Sequence, residues 1–171
     1  MIGALKHKSV LKHLRKSIAA QQRELPKNAV SSLLVLTQGD SSSVKSAVMK
    51  LAERLGIKHE AVYYREFVTG LKPDELQPDQ WCKKHFGWQG KLQHEDAATF
   101  AQKKFDLIIG YYWESNALLD NLIASKPNAF RVGPMGGHEE LFDLTIATPK
   151  NDWDAFEFEL IKYLTLLKLC Q

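Results

Sequence analysis

Three stretches of this chain hold residue types that could do chemistry at the spacing they have. In Thr37-Gln38-Gly39-Asp40-Ser41-Ser42, a glycine is followed by a carboxylate and hydroxyls ahead of an apolar-periodic run. Backbone N–H groups at a helix start, with the positive end of its dipole, suit an anion such as phosphate. The stretch matches neither G-x-G-x-x-G nor G-x-x-x-x-G-K-[ST], so a plain turn and N-cap is the competing reading. In Tyr111-Tyr112-Trp113-Glu114-Ser115-Asn116, an apolar run turns aromatic and polar in one step. Successive side chains of a strand point to opposite faces, so these rings divide between core packing and a platform for a base or sugar ring. Glu114 could bind a ribose hydroxyl, and Ser115 or Asn116 could cap a helix. In Gly133-Pro134-Met135-Gly136-Gly137-His138, the glycines permit positive φ and close backbone approach. His138 with Glu139 could do acid–base work, but no orienting partner is identifiable by spacing, so no catalytic residue is assigned.

These three stretches follow three apolar segments, and the elements that carry them are legible. Leu33–Gln38 closes a strand spanning 31–38; Val44, Val48, Leu51 and Leu55 give the next helix its inward stripe, with Gly56 ending it. Residues 59–66 form a second strand, so strand, helix and strand make a βαβ unit. The alternation returns with strands at 105–112, 129–133 and 143–148. Between them is a helix facing inward through Leu118, Leu119, Leu122 and Ile123. Asn151 or Asp152 caps a C-terminal helix whose stripe is Trp153, Phe156, Leu160, Tyr163, Leu164 and Leu167. Continuous apolar strands joined by helices imply a parallel sheet covered on both faces. The expectation is a three-layer, doubly wound α/β domain of about five strands, Rossmann- or flavodoxin-like, in which ligands bind beyond the carboxyl ends of the strands. The strand order is not readable from the sequence.

Two segments stand apart. Residues 1–27 read as a basic amphipathic helix, with a stripe of Leu11, Leu14, Ile18 and Leu25. They carry Lys6, Lys8, Lys12, Arg15, Lys16, Arg23 and Lys27 against Glu24 alone, while the overall charge of the 171 residues is only +3. The body, 28–171, is therefore mildly acidic. Packing of the leader on the domain or on a second copy, a homodimer, is favoured over a membrane surface, because its apolar stripe is narrow and lacks Trp and Phe. No nucleic-acid partner is expected, since no aromatic-basic motif is present. Residues 67–93 form an irregular insertion rich in Pro, Asp and Gly, with a short edge segment expected around His85–Trp88 and a short helix over Asp96–Lys103. Cys82 and His85 have a tolerable ligand spacing without a matching second pair, so no metal is assigned. No cofactor is identifiable. A hydrophobic fraction of 44%, two cysteines, no run long enough for a membrane span and no secretory leader fit a cytoplasmic protein.

"FDLIIGYYWESNALL", "FRVGP" and "FDLTIATPKNDWDAFEFELIKYL", preceded by the basic leader and "HFGWQGK", resemble an uncharacterised family of small α/β proteins from Bacteroidetes. That resemblance implies a fold and a bacterial cytoplasmic setting and transfers no catalytic residue. The stretch through Arg131-Val132-Gly133 is also similar to the N-terminal half of heptosyltransferase-type glycosyltransferases, which implies a relic domain without transferase activity. The expected function is binding of a small molecule or nucleotide at the sheet edge through Gly39, Asp40, Ser41, Ser42, Trp113, Glu114, Asn116, Gly136, Gly137 and His138. The alternative is an interaction or scaffold protein presenting the N-terminal helix and the 67–93 segment to a partner.

Overall fold

The inner strands of the sheet bury both of their faces, and this fixes the layers. In the computed structural model, which describes residues 2–24, 26–39, 42–137 and 139–170 (without the side chains of Ile2 and Ser42), the elements alternate. They are α1 (Ile2–Ala19), β1 (Leu33–Gln38), α2 (Ser42–Arg54), β2 (Val62–Phe67), β3 (Gln80–Trp81), α3 (Ala97–Gln102), β4 (Leu107–Tyr111), α4 (Ala117–Ala124), β5 (Phe130–Pro134), β6 (Leu144–Ile146) and α5 (Trp153–Leu166). The strands form one sheet of six in the order β3-β2-β1-β4-β5-β6, and every strand pairing is parallel. Leu33 and Val35 of β1, with Leu107 and Ile109 of β4, pack against α2 and α5. Leu34, Leu36 and Ile108 point the other way, toward α1, α3 and α4. Alternating side chains thus serve two apolar layers, which is why these strands read as unbroken hydrophobic runs.

The structure has one strand more than expected. β3 contributes only Gln80 and Trp81, paired with Glu66 and Phe67, and Trp81 is fully buried. The edge segment expected at His85–Trp88 is instead a pair of 3₁₀ turns, Lys83–His85 and Trp88–Gly90, joined by an antiparallel bridge between Phe86 and Leu92. Phe86 is the ring that holds this segment, edge-on to Trp81, whereas Trp88 is exposed. The helix expected over Asp96–Lys103 is α3, bounded by those two residues.

α1 stops at Ala19 rather than running on toward Pro26. Its buried stripe is Val10 and Leu14, with Ile18 packed beside them and Leu11 only half covered; Leu25 lies outside the described residues. The segment after the helix is drawn into other contacts. Gln21 donates to the Ala124 carbonyl at 2.7 Å and accepts from Arg131 Nη2 at 2.8 Å. Arg23 clamps Asp143 and the Pro127 and Ala129 carbonyls. Asn121 of α4 donates to the Val10 carbonyl at 3.2 Å and accepts from His13 Nδ1 at 2.9 Å. In α5, Trp153, Phe156, Leu160 and Leu164 face inward as expected, but Tyr163 and Leu167 lie toward solvent.

Gly133 departs from its expected role. It belongs to β5 and has no positive φ. Its missing side chain makes room for the Phe142 ring, since a Cβ there would stand 2.5 Å from Phe142 Cε2. Gly110 on the neighbouring β4 accommodates the same ring, 2.8 Å from a Cβ built there. Gly136 is the residue that turns the chain, at φ +98°.

The 67–93 insertion is pinned to the sheet by a cluster around Asp96. Arg65 donates to Asp96 Oδ2 through Nε (3.0 Å) and Nη2 (2.9 Å), and its guanidinium lies 4.0 Å from the centre of the Tyr63 ring. Trp81 Nε1 reaches the same oxygen at 3.3 Å, and the His94 ring lies tilted against His85, 4.5 Å between ring centres. Burial raises the Asp96 carboxyl, but the bonds and charge from Arg65, with His94 and Trp81, more than offset it and hold the group below its ordinary value. Burial and the facing His94 ring lower His85, against the pull of Asp96. Both groups therefore bind protons less readily when folded, so stability rises with pH through their titration ranges. The melting temperature is expected to fall in two stages as acid is added, first below pH 6.5 as His85 charges preferentially in the unfolded chain. The second stage follows below pH 3.8, as Asp96 and Asp106, the latter held low by bonds from Ser31 and Ser32, are protonated. In calorimetric scans across pH, His85→Gln should flatten the first stage and Asp96→Asn part of the second. Unchanged profiles in both variants would show that the cluster does not govern acid lability.

Candidate functional site

The strand order reverses between β1 and β4: α2 carries the chain outward to β2, and α4 carries it the opposite way to β5. The loops leaving β1 and β4 therefore diverge, and a crevice opens between them at the carboxyl edge. A cavity of about 430 Å³ occupies it, walled by Gln38 at the end of β1 and Gly39 after it, Ser43 and Val44 in the first turn of α2, and Trp113 and Glu114 after β4. Lys150 and Asn151, ahead of α5, close its far side. Gly39 takes φ +90° there, which lets the chain leave β1 sharply and enter α2.

The aromatic tip divides as strand geometry requires. Tyr111 turns to the α2–α5 layer and packs on Trp153 and Phe156 at 4.9 and 5.1 Å between ring centres. Tyr112 turns to the opposite layer, where its hydroxyl donates to Asp120 Oδ1 at 2.7 Å. Trp113 is only partly buried, edge-on to Tyr111 at 4.8 Å, and its surface remains available to the cavity. Burial, reinforced by the adjoining Asp120 carboxylate, pushes the Tyr112 phenol well above its ordinary value. Burial, with the Asp152 and Asp154 charges, takes Tyr111 to about 12. Neither phenol is a proton donor or acceptor of use near neutrality; both are fixtures that set the tip. Asp120, fully buried on α4, was missed by sequence reasoning because that helix reads as four inward leucines and isoleucines. The available signal was its polar side chain in an otherwise apolar turn.

Of the candidate residues, the structure brings Gly39, Trp113 and Glu114 together around the first cavity. Asn116 caps α4, accepting from the Leu118 and Leu119 amides, and donates to Gln38 Oε1 at 3.2 Å across the crevice. Gly137 lies beside the β4 tip, with Tyr112 and Trp113 carbonyls 3.8 and 4.0 Å from where its Cβ would be, but it and Gly136 are not among the described residues lining the cavity. Ser42 opens α2, and its side chain is outside the described residues, as are Asp40, Ser41 and His138. Glu114 and Lys150 stand 3.7 Å apart over the mouth, both largely exposed, a pairing of little energetic weight in water.

Among the described residues no group of three or more His, Cys, Asp or Glu side chains could hold a metal ion, and no helix is long and apolar enough to cross a membrane. Cys82 and His85 are joined locally, the Cys82 amide donating to His85 Nδ1 at 3.4 Å. What the arrangement offers is recognition: a ring surface, an amide, the first turn of α2 and a lysine around one opening. A family model described as a family of unknown function, DUF6913, matches residues 6–167 of the chain. No curated protein and no solved structure matches it.

Proposed function

We propose, for a chain that belongs to the family of unknown function DUF6913, that the crevice between β1 and β4 binds a small ring-bearing anion of the nucleotide class. The observation that carries this reading is the position of the cavity, at the single reversal of a parallel sheet ordered β3-β2-β1-β4-β5-β6. Trp113 would stack on the ring, the first turn of α2 would face the negative charge, and Glu114 would meet a ribose hydroxyl. Nothing in the reading requires bond-making chemistry. On the strength of the sequence resemblance alone, the proposal extends to a bacterial cytoplasmic setting.

The test is a thermal-shift panel of nucleosides, nucleoside mono- and diphosphates and sugar phosphates, followed by titration calorimetry. A true ligand at a hundred times its Kd stabilises by about 2.7 kcal/mol, enough to move the melting temperature by several degrees. Trp113→Ala is expected to weaken a ring-bearing ligand about tenfold or more, the usual worth of one base–aromatic stack. The absence of any shift across the panel at millimolar concentration would overturn the reading and leave a relic or scaffold domain. The scaffold alternative has to contend with α1, whose apolar side is already committed to α4.

A further inference from the structure

A second cavity, of about 260 Å³, adjoins the first and shares Gln38 and Thr69 with it. The Gln38–Asn116 hydrogen bond lies where the two meet. Its remaining walls bring together parts of the chain that are remote in sequence: Lys6 and His7 from α1, Lys83 from the insertion, and Ser115 and Asn116 from the start of α4. No carboxylate stands among the described residues that line it. We infer that this second chamber is an anion subsite in which Lys6, His7 and Lys83 hold the phosphates of a nucleoside diphosphate whose ring lies in the first chamber.

Resting on the proposed nucleotide reading, this inference assigns each half of the ligand to a place. The first chamber has the ring surface, but its lysine already faces Glu114. The second has Lys6 and Lys83 with no carboxylate among the described residues that line it. Lys6 is held in position because its ammonium donates to the Phe86 carbonyl, which leaves two further N–H groups. Lys83 follows two buried residues, Trp81 and Cys82, so its backbone is fixed as well. The start of α4 is not the anion binder, because Asn116 already accepts from the Leu118 and Leu119 amides. α1 supplies an independent argument. It has no acidic residue in its first turn, and the Lys6 charge near its N-terminus opposes the positive end of the helix dipole. An anion between Lys6 and Lys83 would relieve that repulsion, and this gives the basic leader a reason to be basic at that end.

The experiment compares adenosine, guanosine and uridine with their diphosphates, and with pyrophosphate, by titration calorimetry at low ionic strength. It uses the wild-type chain, Lys83→Ala and the double variant Lys6→Met/Lys83→Ala. The diphosphate is expected to bind at least about tenfold more tightly than its nucleoside, a gain that salt erodes. In the double variant the ratio should fall toward one, with nucleoside affinity retained. Lys83→Ala, which alters only an exposed side chain, should lose part of the ratio with its melting temperature unchanged. If diphosphates bind the double variant as tightly as wild type, the subsite is refuted while the nucleotide reading survives. If no nucleoside or diphosphate binds any chain, both are refuted.

Discussion

A chain lacking residues 1–22 is expected to lose its cooperative thermal transition and to bind hydrophobic dyes while keeping much of its far-ultraviolet circular dichroism. The truncation strips α4 of its cover. Val10 and Leu14 are 1% and 2% exposed, and their burial contributes roughly 1.5–3 kcal/mol each. It also removes Gln21 Oε1 from Arg131, a residue that is 1% exposed and whose Nε has no partner among the described residues. Burial, with the Arg23 charge beside it, lowers that group to about 10, so it stays charged at neutral pH and needs every acceptor it has. Asn121 loses the Val10 carbonyl and His13 at the same time. Against a net stability of about 5–15 kcal/mol for a domain, these losses together are large. Leu14→Ala offers a graded version, expected to cost about 2–5 kcal/mol in urea denaturation. A truncated chain that melts sharply within a few degrees of the full one would show that α1 is an appendage, as the scaffold alternative requires.

Gly133→Val is expected to destabilise by about 3 kcal/mol, although valine is a far better strand residue than glycine. The two effects have opposite signs, so the outcome is diagnostic. Strand propensity alone predicts a gain, whereas the Phe142 ring, whose Cε2 and Cζ would lie 2.5 and 2.6 Å from the new Cβ, predicts a loss. The ring also touches the place of a Gly110 Cβ, where Ile123 Cδ1 stands at 2.9 Å, so it has little freedom to slide toward β4. Combining Gly133→Val with Phe142→Ala should recover part of the loss, giving a coupling on the order of 1 kcal/mol in a double-mutant cycle. A single variant as stable as wild type would mean that Phe142 moves aside freely.

The layered parallel sheet was legible because a strand buried on both faces has a signature that composition cannot hide: Leu33 to Leu36 and Leu107 to Ile109 have no polar side to show. The strand order was not, since the same run fits any interior position of such a sheet. β3 escaped because two residues carry no periodicity; only their pairing with Glu66 and Phe67 makes them an element. The end of α1 was misjudged for a tertiary reason. Gln21 and Arg23 are good helix formers, but their side chains are engaged by Ala124, Arg131 and Asp143, and those contacts override local preference. In the site, Gly39, Trp113 and Glu114 could be found because they follow strands that the sequence shows. The second cavity lined by Lys6, His7 and Lys83 could not, because no local pattern announces that α1 and the 67–93 segment will meet the start of α4.

α1 is the first element in the chain, and the residues that complete it come late. The Val10 carbonyl waits for Asn121, 111 positions further on, and Gln21 for Arg131, 110 positions further on. Translation therefore completes α1 long before its resting place has been made. A message cut short before α4 and β5 yields a product whose leading segment can never be housed.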